Sequence, residues 1–266
     1  MTAAARDVWA SGDLYEPYVG RWSRLVAREF VEWLGIPAGG RWLDVGCGTG
    51  ALLGEVLARA NPALAVGVDR SAGYVAHARR RLHVARSAFA VADATALPLA
   101  TAAVDVAVCA LVLNFVRSPV AMLAEMRRAT VAGGIVAVYV WDYAQDMQLM
   151  RRFWDAAVEL DPAAAELDEA RRFPMCQPEP LAELCEQAGL AVVDVRAIDV
   201  PTVFRDFDDY WTPFLGGQGP APGYCMSLSE ERRVALREHI RARLPFEPDG
   251  SIHLIARAWA AKAAVT

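Results

Sequence analysis

Residues 42–50 read Trp42-Leu43-Asp44-Val45-Gly46-Cys47-Gly48-Thr49-Gly50. A short apolar run with one acid gives way to glycines at alternate positions, and Ala51 to Ala60 then has helix-forming composition until Asn61-Pro62 ends it. The stretch therefore reads as strand, tight turn, helix. Upstream, Leu25, Val26, Phe30, Trp33 and Leu34 recur at helical spacing from Trp22 on, and Gly35, Pro37, Gly39 and Gly40 break that pattern. Downstream, Ala65 to Asp69 is a second strand, and Ser71 is the expected N-cap of a helix reaching about Leu82. The beat repeats at Phe89 to Asp93, Val104 to Leu111 and Ile135 to Trp141, with Ser118-Pro119 opening a helix that ends before Gly133-Gly134.

Strands separated by helices imply parallel pairing, and near-continuous apolar strands such as Val104-Asp105-Val106-Ala107-Val108 imply a sheet covered on both faces. The expected fold is α/β: a three-layer, doubly wound, mostly parallel sheet, with helical and loop cap insertions. After Trp141 the beat weakens. A helix is expected from about Met147 to Leu160, an irregular piece around Arg171-Arg172-Phe173-Pro174, and a helix from Leu181 to Ala188. Leu190 to Val200 and Ile252 to Ala260 are two late strands that would pair as a hairpin and bring the sheet to seven. Between them lie a Gly-, Pro- and aromatic-rich loop, Tyr210 to Tyr224, and a charged helix, Ser229 to Arg243.

The 266 residues carry 27 Lys+Arg against 32 Asp+Glu, a net charge of −5, with 55% hydrophobic residues. Such a chain can bury enough apolar surface to fold, and it offers no global positive field for nucleic acid or an anionic membrane. Neither partner is expected. Met1-Thr2-Ala3-Ala4-Ala5-Arg6-Asp7 lacks a secretory pattern, and Val131 to Trp141 is too short to span a bilayer. The odd set Cys47, Cys109, Cys176, Cys185 and Cys225 lacks metal-ligand spacing, so reduced thiols, a cytoplasmic location and no metal site are expected. His239 and His253 have no partner at ligand spacing, and His77 and His83 accompany Arg79-Arg80-Arg81 on what reads as a solvated face.

Ligands of open parallel sheets bind at the carboxyl ends of strands where the winding reverses, and the first strand-to-helix turn is usually the hinge of that crevice. Gly46, Gly48 and Ala51 also satisfy the loose dinucleotide pattern, so the glycines alone do not choose between a dinucleotide and another ligand. The acids discriminate. Asp44, just before the turn, would repel a pyrophosphate and favour an ammonium or sulfonium. Asp69, 23 residues beyond Gly46, stands where an acid accepts from ribose hydroxyls. Asp93 stands where a carboxylate accepts from an adenine amino group, although a turn cap is its alternative role. Three acids on successive strand ends describe a nucleoside with a cationic tail.

Residues 42–50 closely resemble the first motif of the class I S-adenosylmethionine-dependent methyltransferases. Asp69, Ala92-Asp93-Ala94, Cys109 to Phe115 and Val131-Ala132-Gly133-Gly134 follow in that family's order, so the similarity spans about residues 15 to 142. Ala132 replaces the proline common in relatives. The resemblance implies a Rossmann-like methyltransferase fold, S-adenosyl-L-methionine as cofactor, and methyl transfer to a small-molecule acceptor. It places Gly46, Gly48 and Gly50, with Cys47 between them, along the methionine part. Asp69, with Arg70 beside it, goes to the ribose, Asp93 and Ala94 to the adenine, and Ala110 and Leu111 against the cofactor.

Asn114, after the fourth strand, is either a contact near the methyl or a loop-stabilising amide. Asp142 and Tyr143, after the fifth, would orient or deprotonate an acceptor. Tyr15, Tyr18, Arg21 and Trp22 would form a flap, with Arg21 meeting the cofactor carboxylate. Phe204, Phe207, Tyr210, Trp211 and Phe214 would line an apolar acceptor pocket or pack a lid. Met147, Met150, Phe153 and Trp154 have core spacing. The expected organisation is a single domain, 1–266, with an N-terminal helical flap (1–40), a cofactor-binding core (41–142) and cap or substrate segments (143–189 and 201–248). The competing functions are a non-catalytic binder of S-adenosylmethionine or S-adenosylhomocysteine, and a nicotinamide-dependent oxidoreductase, against which Asp44 and Asp93 argue.

Overall fold

A seven-stranded sheet has the strand order β3-β2-β1-β4-β5-β7-β6 in the computed structural model, which describes residues 16–191, 193–217 and 219–266. The flap residues Asp13 and Tyr15 lie outside the described residues. The strands are β1 (Arg41–Val45), β2 (Leu64–Asp69), β3 (Ser87–Val91), β4 (Val104–Ala110), β5 (Thr130–Trp141), β6 (Asp194–Phe204) and β7 (Ile252–Ala264). β3, β2, β1, β4 and β5 pair in parallel, and β7 joins β5 antiparallel. The expected mostly parallel, doubly wound α/β sheet is therefore present. Its winding reverses between β1 and β4, whose Asp44 and Val108 are register partners. At the start of this pair Asp105 holds the Arg41 guanidinium at 2.8 and 3.1 Å and its backbone N–H at 2.7 Å, which keeps β1 and β4 in register.

The chain divides into two compact units. The sheet unit comprises Ser23–Trp141, Met175–Ile198 and Ala258–Thr266. Its helices are α1 (Arg21–Leu34, whose first turn belongs to the other unit), α2 (Ala51–Arg59), α3 (Ala72–Arg81), α4 (Pro119–Ala129) and, after two further helices of the other unit, α7 (Pro178–Gln187). Amphipathic α1 puts Val26, Ala27 and Phe30 in the interior, with the Phe30 ring edge-on to Tyr139 of β5 at 4.8 Å. α3 begins where its cap was expected: the Ser71 hydroxyl accepts from the Tyr74 N–H at 3.3 Å. Ser71→Ala should cost about 1 kcal/mol and lower the melting temperature by about 2–4 °C; an unchanged melting curve would show that the cap is idle.

Three local expectations change. The Val131 to Gly134 turn is instead a bulge inside a longer β5, because the partners of Val104 and Val106 are Thr130 and Ile135. Gly134 is required there, since a Cβ would stand 2.6 Å from the Asp105 carbonyl oxygen. β6 starts and ends four residues later than expected. Most of the expected Tyr210–Tyr224 loop is helical, because Tyr210, Trp211 and Phe214 are buried and its prolines start helices.

The second unit comprises, of the described residues, 16–22, Asp142–Pro174 and Asp199–Arg257. It holds α5 (Gln148–Leu160), α6 (Glu169–Arg172), α8 (Phe207–Trp211), α9 (Pro220–Ser227) and α10 (Glu230–Arg241). Its interior is ring on ring: Phe153 stacks on Phe214 at 4.5 Å, Phe204 meets Tyr210 at 5.2 Å, and the Tyr210 hydroxyl donates to the Leu149 carbonyl at 2.9 Å. Arg151 spans Asp155 and Asp168 at 2.9 and 2.6 Å. β6 and β7 run from one unit into the other by continuity of chain. Among the described residues no helix is long and apolar enough to cross a membrane, and no group of three or more His, Cys, Asp or Glu could hold a metal ion.

Candidate cofactor site at the strand ends

The turn from β1 into α2 closes on β2. The Gly46 and Cys47 N–H groups donate to the Val68 carbonyl at 2.8 and 2.9 Å, and the Gly50 N–H donates to the Cys47 carbonyl at 2.8 Å. Gly46, Gly48 and Gly50 have φ of 77, 50 and 83°, the left-handed region that side chains disfavour. Their surroundings differ. A Cβ on Gly46 would meet Val112 at 2.8 Å and one on Gly50 would meet Leu82 at 2.7 Å, so these two glycines allow close packing. A Cβ on Gly48 would meet nothing within 4 Å among the described residues. Gly48 thus presents bare backbone to open space, where a ligand can approach.

Asp69 organises this turn from the end of β2. One carboxylate oxygen accepts from the Gly48 N–H at 3.0 Å and the other from the Ser71 N–H at 2.8 Å. Each oxygen retains acceptor capacity. Burial raises the Asp69 carboxyl above its ordinary range, opposed by those two amides and by Arg70, which is exposed. Asp93 follows β3, whose Val91 is the register partner of Asp69. One of its oxygens takes the Thr95 N–H at 2.8 Å and hydroxyl at 2.7 Å, so the turn-capping role holds; these two bonds keep the exposed carboxyl below its usual range. Its other oxygen has no such bond among the described residues, which leaves it available to a ligand. Ala94 follows, half-buried.

Asp44 is the anomaly. It is 1% exposed, and among the described residues neither oxygen has a hydrogen-bond partner. Burial first, and then the charge of Asp69, push its carboxyl up to about 8, with only partial opposition from a backbone dipole at Leu53. A buried carboxylate without a partner costs free energy until a cation or donor meets it. Cys47 and Cys109 lie in the same acidic surroundings, and burial followed by Asp44 pushes both thiols up, so neither is a thiolate nucleophile.

β4 delivers the facing side. Ala110 and Leu111 are half-buried; Leu111 has φ 59° and donates its N–H to the Tyr139 carbonyl at 2.9 Å. Asn114, in the short helix Leu113–Phe115, is 7% exposed, and both ends of its amide lack a partner among the described residues. Those unmet atoms favour the contact role over the loop-stabilising one, since a loop-stabilising amide would be bonded to the loop.

The structure brings Asp44, Gly46, Cys47, Gly48, Gly50 and Asp69 together, with Asp93 and Ala94 on the neighbouring strand end and Ala110 and Leu111 at the switch point. Arg70 and Asn114 belong to the same sheet unit, whereas Arg21, Asp142 and Tyr143 belong to the second unit. Arg21 pairs with Asp209 at 3.0 Å and lies over the rings of Trp22 and Phe204, so its charge already has a partner. Asp142 is fully buried and takes the Gln145 and Asp146 N–H groups at 3.2 and 3.4 Å. Tyr143 is buried with its ring against Phe173 at 5.9 Å.

One buried group went unread in the sequence. Glu169 is 1% exposed, accepts from the Trp154 indole N–H, and has a carboxyl pushed up to about 8 chiefly by burial. Its neighbours in Ala165-Glu166-Leu167-Asp168-Glu169-Ala170-Arg171-Arg172 are mostly charged and carry no local sign of burial. Only its position four residues from Phe173 hinted at an inward face.

The strand-end residues fit an adenosyl group with a cationic tail: bare backbone at Gly48, a carboxylate at Asp44 without a partner, and spare acceptors at Asp69 and Asp93. A family model described as a methyltransferase domain matches residues 43–138. Demethylmenaquinone methyltransferase of Roseiflexus sp. (strain RS-1) is 32% identical over 178 residues, covering 61% of this chain and 72% of that protein. A 2-methyl-6-phytyl-1,4-hydroquinone methyltransferase of Synechocystis sp. (strain ATCC 27184 / PCC 6803 / Kazusa) is 28% identical over 241 residues, covering 82% and 74%. Among solved structures, a Bacillus halodurans C-125 protein assigned as a methyltransferase superposes with a TM-score of 0.60 at 13% identity, covering 90% of this chain and 97% of that one, a likeness of fold. The motif, the sheet order and these relatives agree, and the chain belongs to the class I S-adenosylmethionine-dependent methyltransferases.

Proposed function

We propose that this methyltransferase acts on a small, apolar, ring-bearing acceptor, and that Asp44, Gly46, Cys47, Gly48, Gly50, Asp69, Arg70, Asp93, Ala94, Ala110 and Leu111 hold its cofactor. The observation that carries the acceptor class is the ring-lined interior of the second unit, where Phe153, Trp154, Tyr210 and Phe214 are all buried. The two relatives support it, since both are named for acceptors of the quinone or hydroquinone type. Apolar rings supply a large area to pack against a flat acceptor.

S-adenosylmethionine, when bound, supplies a methyl group already activated on a sulfonium. The residues therefore have little bond-making to do. Asp44 neutralises positive charge, Gly48 permits close approach, and Asp69 and Asp93 accept from hydroxyl and amino groups. Orientation and exclusion of water account for roughly 7–11 kcal/mol of barrier reduction in such reactions. Asn114 offers an amide NH2 donor group and a carbonyl acceptor beside the strand ends. Asp142 is left out of the catalytic set because its oxygens hold a turn, Arg21 because Asp209 holds it, and Tyr143 stays as a packing residue. Five reduced, buried thiols support a cytoplasmic location.

The test is turnover. With methyl-tritiated S-adenosylmethionine, label should enter a reduced naphthoquinol or alkylphenol and should not enter alkylamines or peptides. Label only in the latter would overturn the acceptor class.

A further inference from the structure

Charge is unevenly spread over the sheet unit. From Arg70 to Ala92 the chain carries five arginines and two histidines and no Asp or Glu, although its net charge is −5. Four of those arginines gather at one corner. α3 returns from Ser71, after the carboxyl end of β2, so its last turn, with Arg79, Arg80 and Arg81, leads to the amino end of β3. Arg86 stands there too, its carbonyl accepting from the Ala65 N–H of β2 at 2.8 Å. All four are exposed, and none pairs with a carboxylate among the described residues, whereas Arg41, Arg59 and Arg128 of the same unit do. Arg79 donates to the Phe89 carbonyl at 2.8 Å, and Arg86 to Asn61 and the Leu57 carbonyl at 2.9 and 3.0 Å, all neutral acceptors that leave the charge uncompensated. The helix dipole favours basic side chains in a last turn, but it explains neither Arg86 nor the missing acids.

A closed, apolar-tipped loop stands among these cations. The Ser87 hydroxyl donates to the Leu82 carbonyl at 2.6 Å and the Ser87 N–H to the Val84 carbonyl at 3.0 Å, which ties residues 82–87 into a tight turn. Val84 on that turn is 48% exposed, and Leu64, next to the Ala65 that bonds Arg86, is 38% exposed. The partner must therefore be anionic and must also take separate aliphatic side chains. A phospholipid bilayer meets both demands without shape complementarity. A protein partner needs roughly 800 Å² of matched surface. Polynucleotides are held largely by stacking aromatics and amide side chains, and residues 79–88 contain no Phe, Tyr, Trp, Asn or Gln.

We propose that this corner docks on an anionic phospholipid bilayer, with Val84 and Leu64 entering the interface and Arg79, Arg80, Arg81 and Arg86 meeting lipid phosphates. The net charge of the whole chain argued against such a partner; the local distribution supplies the field that the chain as a whole lacks. Docking is peripheral adsorption. The glycine turn lies at the opposite, carboxyl ends of the strands and stays clear of it, so the inference is independent of the acceptor class.

Cosedimentation of the full chain with vesicles tests it, using phosphatidylcholine alone and equal parts phosphatidylcholine and phosphatidylglycerol. In about 0.1 M salt the mixed vesicles should bind at least about tenfold more tightly, since each basic side chain near an anionic surface adds about fivefold, and about 1 M salt should abolish the difference. Arg80→Gln/Arg81→Gln should weaken binding to the mixed vesicles about tenfold, and Val84→Ser about threefold, both with wild-type affinity for S-adenosylhomocysteine. Equal binding to the two vesicles, no binding to either, or undiminished binding by the double variant would overturn the proposal. So would tighter binding to polyuridylate or polyglutamate than to the mixed vesicles, which would give the corner a different partner. Should the double variant lose S-adenosylhomocysteine binding through misfolding, Arg80→Gln alone decides: about a threefold loss supports bilayer docking and no loss overturns it.

Discussion

Asp44→Asn should weaken S-adenosylmethionine binding by about 100-fold and yet leave the ligand-free protein more resistant to heat at pH 8. Both effects come from one buried carboxyl. In the folded, ligand-free chain it titrates at about 8, against 3.8 for the free side chain. The folded state therefore holds its proton more tightly than the unfolded state does. Stability from this group falls as pH rises from about 4 to about 8, a cost of at most about 5 kcal/mol at the upper end. Asparagine removes that cost. A cationic ligand needs the charged form, so wild-type affinity should strengthen as pH rises from 6 towards 8 and level off above it, with release of a proton on binding. Calorimetry in buffers of differing ionisation enthalpy measures that proton. In Asp44→Asn both the pH dependence and the proton should vanish; unchanged affinity would show that Asp44 does not face the cofactor's positive end.

Gly46→Ala should lower stability by about 3 kcal/mol, which combines left-handed strain with a forced contact, and should weaken cofactor binding about tenfold by moving the turn. The new Cβ would stand 2.8 Å from both Val112 methyls at φ 77°. The two causes separate in a double variant. Val112→Ala clears the space but leaves the φ, so Gly46→Ala/Val112→Ala should recover roughly half the lost stability in a denaturant titration. Full recovery would assign everything to the contact, and no recovery everything to the backbone. Gly48→Ala makes the contrast: with no neighbour within 4 Å among the described residues, its Cβ should affect ligand affinity more than folding.

Most of the sheet unit was legible residue by residue. Asp44 to Gly50, Ser71 before α3 and Ser118-Pro119 before α4 are local signals: a turn needing positive φ, a hydroxyl cap and a proline at a first helical position. Backbone sterics and short-range hydrogen bonds act within a few residues, so they can be read in one dimension. The apolar β-strands were legible for the same reason, since their composition reports burial on both faces. Local order misled where a distant partner decided the outcome. Val131 to Gly134 has turn composition, but β4 pairs with it and makes it a bulge. Tyr210 to Tyr224 has loop composition, but Tyr210, Trp211 and Phe214 are buried and the segment winds into helices.

The charge state of the acids was beyond the reach of local reading altogether. Asp44, Asp69, Asp93 and Glu169 are chemically similar carboxyls, and nothing adjacent to them in the chain says that two titrate near 8 while Asp93 stays low. Desolvation and the field of neighbouring charges set those values, and both depend on residues tens of positions away that only folding brings near. Chain order thus determined the strand-turn-helix frame and the acids at its strand ends. Tertiary packing decided which acid is left without a partner, that Arg21 is spent on Asp209, and that a glutamate in a charged run is buried beside Trp154, because electrostatic energy follows distance and burial in space.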